Sequence, residues 1–305
     1  MAVKIGRTEI LSRLRKQTRE RRPILGAGCS AGIIAKCAEI GHADLIIVYS
    51  TGKTRMMGLP TTVITGTSNA ITLEMFDELA NVVKNTPIIA GIEADDYFCL
   101  DLQASLKRFV DRGFSGAINF PTVALYENLI EGGMALRKFT ETLAPAYGVE
   151  RWGWSREVEM IRILHEWDLF TLCYVFTPAD AVAMVEAGVD VVCVHVGPSV
   201  GGLAGFEPLE AMETLLARAQ EVMLAAKDTR SDVICLIHGG PFYDPESTKA
   251  VFEKTDALGF VAASAVERVP VEQAVVGACK EYKQLPMPRL PDRSRQDPLR
   301  AGPSE

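Results

Sequence analysis

Residues 168–197 read DLFTLCYVFTPADAVAMVEAGVDVVCVHVG, and the plan of the chain works outward from them. Thr171–Phe176 and Val189–His195 are short, nearly continuous apolar runs, as expected of strands covered on both faces. Between them, TPADAVAMVEAGV spaces its apolar residues three and four apart, like a helix laid against a sheet. Thr177–Pro178 supplies an N-cap with proline at the first helical position, and Gly188 a left-handed stop. The stretch therefore reads as strand, helix, strand, with the strands parallel.

The same unit recurs on both sides. Further strand candidates are Pro23–Gly26, Ala43–Tyr49, Thr86–Gly91, Gly116–Asn119, Asp232–His238 and Gly259–Ala263. AGIIAKCAEIGH, NAITLEMFDELANVVKN and DLQASLKRFVDRG carry the helical spacing, and Gly41 and Gly113 stand where left-handed C-caps would end two of them. Asp244–Pro245 repeats the N-cap signal. Eight such repeats close most naturally as an α/β fold of (β/α)₈ TIM-barrel type. One domain spans 1–285, and 286–305, rich in Pro and charge, reads as a disordered tail. Near the start, Ile5, Ile10, Leu11 and Leu14 recur at helical spacing, so an amphipathic helix is expected to close the barrel floor. Glu131–Ser155 is the one long stretch without a regular pattern; after a strand, it is expected over the active face as a lid or an oligomer contact.

Composition narrows the partners. The 305 residues are 48% hydrophobic and 23% charged, with a net charge of −7 and pI near 5.3. That balance gives no electrostatic reason to bind nucleic acid or a membrane surface. A small anionic metabolite remains compatible, because backbone amides and helix N-termini bind anions locally. The seven cysteines are scattered with no CxxC pair, a reduced and cytoplasmic pattern. No segment has the apolar length to span a bilayer.

Two nucleotide-like motifs fail on register. Ser50–Thr54 reads STGKT, but the glycine a P-loop needs five residues before Gly52 is Ile47, inside a strand. Gly26-Ala-Gly28-Cys-Ser-Ala-Gly32 is one residue too long for a dinucleotide fingerprint, and Val48, Tyr49 and Ser50 stand where its acid belongs.

Barrel chemistry sits where strands end, and there the polar residues converge. His195 and His238 end two strands, each with a glycine within two residues after it, and near neutral pH histidine can serve as acid, base or ligand. Gly239 and Gly240, with Ser264, occupy the usual place of a barrel phosphate site; the alternative is a turn that simply needs glycine. Arg268 is expected either to bond the anion or to pair with Glu267 at the surface. Ser30 and Asn119 close two further strand ends. Glu93, Asp95 and Asp96 crowd another, which suits Mg²⁺ held by Glu93 and Asp96, or a helix N-cap from Asp95 or Asp96.

The stretches AKCAEIGHADLIIVYSTGKTRMMG, SNAITLEM, GAINFPTV, EVEMIRILHEWDLFTLCYVFTPADA, HVGPSVGG, HGGP and AASAVERVPVEQA together resemble the phosphoenolpyruvate hydrolase-like family, also described as TIM-barrel signal-transduction proteins or phosphonopyruvate hydrolases. The resemblance covers most of Gly26–Ala274, with Arg55, Asn69, Asp96, Asn119, Pro121, His195, His238, Gly239, Gly240, Ser264, Glu267 and Arg268 matching its pattern. Ala94-Asp95-Asp96-Tyr97 replaces the family's usual Gly-Thr-Asp-Pro. The resemblance implies a homo-oligomeric TIM barrel acting as a hydrolase or lyase on a small phospho-, phosphono- or carboxylate substrate. In that reading Gly239, Gly240 and Ser264 hold the anion and Arg55 or Arg268 neutralises it. His195 or His238 is the acid/base, with Asp96, and Mg²⁺ is the cofactor on Asp96 and Glu93. Because related domains occur in transcriptional activators and a plant antiviral protein, a sensing module without turnover is the rival.

Overall fold

The computed structural model describes residues 4–60, 66–125, 133–207 and 210–287, without the side chains of 133–136. Its strands are β1 (Ile24–Gly28), β2 (Leu45–Val48), β3 (Ile88–Gly91), β4 (Gly116–Ile118), β5 (Phe170–Val175), β6 (Val191–His195), β7 (Ile234–His238) and β8 (Gly259–Ala262). They close in sequence order into a parallel barrel, with β8 pairing back onto β1. Every strand residue except Leu25 is buried, which is why all eight read as apolar runs. The closed (β/α)₈ barrel is a TIM barrel, as the alternating pattern required.

The helices follow the same register: α1 (Arg7–Arg19), α2 (Gly32–Ile40), α3 (Ser50–Met56), α4 (Ser68–Val82), α5 (Leu102–Arg112), α6 (Gly133–Glu141), α7 (Trp154–Glu166), α8 (Pro178–Glu186), α9 (Met212–Thr229), α10 (Pro245–Lys254) and α11 (Arg268–Lys283). Thr177 caps α8 by accepting from Asp180 N–H (3.2 Å), and Asp244 caps α10 by accepting from Ser247 N–H (2.7 Å). Gly188 (φ 91°) carries the left-handed stop expected of it. Gly41 does not: its φ is −76°, and His42 (φ 64°) takes the left-handed position instead. The chain turns one residue later than the glycine suggests, because Ala43 N–H bonds back to Ala38 O and His42 N–H to Glu39 O.

α1 buries Ile10 and Leu14 and is fastened at the strand-start end. Arg7 reaches Asp190 (2.8 Å) and Asp168 (3.2 Å), and Ile5 N–H donates to Ser115 Oγ (3.0 Å). These acceptors lie one or two residues ahead of strands, so α1 closes the floor. The described part of the 131–155 stretch, from Gly133 on, is more regular than its sequence implies, holding α6 and a 3₁₀ turn over Ala144–Tyr147. It packs on the strand-end face, where Trp152 meets Tyr97 (5.2 Å between centroids) and Gly153 N–H donates to the Asp95 carboxylate (2.9 Å). Most of the tail expected over 286–305 lies outside the described residues.

Candidate active site

The last residues of β6 and β7 stand opposite one another: His195 pairs in register with His238. Their rings lie 4.7 Å apart, edge to face. Tyr174 of β5 packs on both, at 5.0 and 4.9 Å, and Phe176 stacks on His195 at 4.8 Å. These aromatic walls keep water from the imidazoles, and burial pushes both below the usual histidine range. His195 lies well below it, with the neighbouring His238 adding to the effect. Burial takes His238 to about 4, against the bond to Val261 O and with help from the Arg55 charge.

The backbone sets their tautomers. His195 Nδ1 accepts from Gly197 N–H (3.1 Å), so its proton sits on Nε2. His238 Nδ1 lies 2.7 Å from Val261 O, which can only accept, so Nδ1 carries the proton and Nε2 presents a lone pair. One ring therefore offers a donor and its neighbour an acceptor.

α3 delivers the charge. Arg55 gives Nε and Nη2 to the carboxylate of Glu267, at 3.2 and 2.8 Å, and both residues are buried. Burial opposes the Arg55 charge, but Glu267 more than restores it, holding the guanidinium above its usual value. Ser30 adds its N–H (2.6 Å) and its hydroxyl to the same carboxylate, and Arg55 Cζ sits 5.4 Å above the Tyr49 ring. A narrow cavity of about 20 Å³ opens among Thr51, Arg55, Phe120, Ser199 and the two histidines.

Other sequence candidates take different places. Asn119 does not face this cavity; it bridges β4 to β5 by accepting from Tyr174 N–H (2.7 Å) and donating to Tyr174 O (3.2 Å), and it also donates to Glu157 (2.7 Å). Gly239 (φ 89°) is a forced glycine, since a Cβ there would lie 2.1 Å from Gly197 O. Gly240 N–H donates to Gly197 O (2.9 Å), so that amide is engaged by the neighbouring loop. Ser264 is fully buried at the end of β8, and its carbonyl accepts from Val269 N–H (2.9 Å). Arg268 is buried and pairs with Glu272 (2.9 Å) and Gly201 O (2.9 Å), not with Glu267 at the surface. Glu267 is turned inward because Arg55 and Ser30 claim it.

The acids after β3 form a second locus. Glu93 and Asp95 line a separate cavity of about 60 Å³ with Pro121 and Glu157, without the histidines. Asp96 accepts from Asn69 Nδ2 (3.0 Å) and Phe98 N–H (2.9 Å), which ties down its own loop. Neither Asp95 nor Asp96 caps α5; Asp101 does, accepting from Ala104 N–H (3.0 Å), since it directly precedes the helix. Burial lifts Glu93 above the usual carboxylate range against a Ser68 contact, and the Asp96 charge adds to this; burial likewise lifts Asp95 to about 6. Among the described residues, no three His, Cys, Asp or Glu side chains form a metal cage. Mg²⁺ needs only one or two carboxylates besides water and ligand oxygens, and a cation would relieve Glu93, so Glu93 and Asp96 fit that ion.

Sequence reading passed over Glu157, Thr51 and Glu267 as site residues. Glu157 is fully enclosed and accepts from Asn119, Thr122 Oγ1 and Val123 N–H at 2.7–2.8 Å. Burial raises it to about 8 despite those bonds. Its signal was an acid on the buried stripe of α7, in line with Met160, Ile161 and Leu164.

Over residues 9–285 the chain matches the model of a family described as phosphoenolpyruvate hydrolase-like. It is 38% identical over 290 residues to the ToMV resistance protein Tm-1(GCR237) of Solanum lycopersicum, covering 92% of this chain and 36% of that protein. The chain thus spans about a third of the length of the tomato relative. Among solved structures it resembles phosphoenolpyruvate phosphomutase from Streptomyces platensis subsp. rosaceus (TM-score 0.57, 16% identity, 90% of this chain and 87% of that one). It also resembles a phosphonopyruvate hydrolase in complex with oxalate and Mg²⁺ (TM-score 0.53, 16% identity, 89% and 84%). At such identities these two likenesses speak for the barrel alone.

Proposed function

The chain belongs to the phosphoenolpyruvate hydrolase-like family, and from that premise we propose a hydrolase- or lyase-type enzyme for a small phospho-, phosphono- or carboxylate substrate. The observation that carries the reading is the histidine pair, one Nε2 a donor and the other an acceptor, with their rings 4.7 Å apart. Hydrolysis of phosphonopyruvate puts a water oxygen on phosphorus and gives the departing carbon a proton. The water must therefore lose a proton while the pyruvate fragment gains one. His238 Nε2 is built to take the water's proton and, as the imidazolium so formed, to return it to the pyruvate carbon, while His195 Nε2–H hydrogen-bonds the anionic oxygen. An anion brought against the pair raises both from their depressed resting values, which readies His238 as a base. Arg55 supplies the positive charge, with Glu267 fixing its plane. Glu93 and Asp96 would hold Mg²⁺, which when bound neutralises anionic oxygen.

Phosphonopyruvate with Mg²⁺ is expected to release phosphate and pyruvate above background, and His238→Ala to lower kcat by about 10²–10⁴. No release, with His238→Ala leaving every other turnover unchanged, would sink the enzyme reading. The rival is a ligand-sensing module; it is favoured by the burial of His195, His238 and Arg55 at 3–7% exposure, and by a relative that is a resistance protein. It predicts a ligand that raises Tm and is recovered intact. A cytoplasmic homo-oligomer completes the proposal, in keeping with seven unpaired cysteines; a monomer in sedimentation equilibrium would remove that part.

A further inference from the structure

Thr51 is 1% exposed, and its Oγ1 has no hydrogen-bond partner. A buried hydroxyl without a partner costs stability, so a protein that keeps one calls for a reason. The common relief for a helical threonine is a bond to the carbonyl four residues back. Thr51 stands in the first turn of α3, so the residue four back, Ile47, lies in β2 and its O accepts from Cys29 N–H (2.9 Å), while Thr54 one turn on bonds Thr51 O (2.9 Å). Thr51 lines the mouth cavity with Arg55, four residues along α3 and on the same face. Tyr174, whose ring packs under both histidines, likewise has a buried hydroxyl with no bond of normal geometry. The unused Thr51 donor thus faces a cavity that is lined as well by the buried cation of Arg55 and by His195.

We propose that Thr51 is a specificity-determining residue of this site, donating its hydroxyl to a carboxylate or phosphoryl oxygen of the bound anion beside Arg55. The assignment rests on reading the cavity as the anion site and goes beyond it in naming the group that grips the oxygen. Arg55 spends Nε and Nη2 on Glu267, so its charge is already answered by a carboxylate inside the protein. A neutral donor next to it then selects for an oxyanion without adding charge.

The test pairs Thr51→Val, which keeps the shape and removes the hydroxyl, with Thr51→Ser, which keeps the hydroxyl. Oxalate and inorganic phosphate are titrated by calorimetry into wild type and both variants, and Tm is measured without ligand. Thr51→Val is expected to hold or raise Tm while weakening the anion about ten- to hundredfold, and Thr51→Ser to stay within about threefold of wild type. A loss confined to oxalate assigns the hydroxyl to a carboxylate, and one confined to phosphate to a phosphoryl group. Equal binding by Thr51→Val and wild type overturns the assignment and leaves the anion site standing. So does a Thr51→Val variant that loses Tm as well as binding, for the hydroxyl is then structural. Wild type that binds neither anion overturns both the site and the assignment.

Discussion

Glu157 is enclosed in the barrel wall with hydrogen-bond donors around it and, among the described residues, no ion pair. Its carboxyl is raised to about 8, so the folded protein keeps a proton there that the unfolded chain gives up near pH 4.5. Stability from this group is complete below that lower value and drains as pH rises towards 8. His238 acts in the opposite sense: folded it protonates near 4, unfolded near 6.5, so stability is lost as pH falls through that interval, by about 3 kcal/mol at most. Glu157→Gln is expected to remove the alkaline-side loss and leave the acid-side one, read from urea midpoints between pH 5 and 8. An unchanged profile would mean that Glu157 is ionised in the fold. The Arg55–Glu267 pair makes a second test. Truncating one partner leaves a buried charge alone, so Glu267→Ala is expected to cost about 3–5 kcal/mol in denaturant unfolding.

At the scale of elements, the mouth depends on close approach between the ends of β2, β3 and β4. A Cβ on Gly91 would lie 2.3 Å from Tyr49 Cβ and 2.8 Å from Phe120 O. Gly91→Ala is therefore expected to cost about 1–3 kcal/mol and to weaken oxalate binding by displacing Tyr49, seen as a lower Tm and a higher Kd. The strands were legible because both faces of each are buried, which leaves a run of apolar letters. The caps at Thr177 and Asp244 were legible because they act within four residues. Contacts made across the barrel were not. Glu267 meets Arg55 across 212 residues of chain, so nothing near either residue announces the pair. Thr51 was screened by a P-loop look-alike, STGKT, which the structure folds into the short helix α3. The acids after β3 hid their places too: the helix cap expected of Asp95 or Asp96 falls to Asp101, and the histidines line a separate cavity.

Across the whole molecule, the two ends of the barrel divide the labour. The floor is stability, where α1 buries Leu14 against the strand starts. Leu14→Ala is expected to cost about 2–5 kcal/mol while leaving anion binding at the mouth unchanged. The mouth is where the proposed chemistry falls, and its central feature is the paired histidines in opposite tautomers. A long-range ¹H–¹⁵N NMR spectrum of histidine-labelled protein at pH 7, recorded with and without phosphonopyruvate and Mg²⁺, tests that feature directly. The chain has four histidines, so His42 and His165 serve as internal references. The expected result is a neutral Nε2–H ring for His195 and a neutral Nδ1–H ring for His238. Both should shift on ligand addition while His42 and His165 hold still. Matching tautomers in the pair, or a saturating ligand that moves neither ring, would contradict the account.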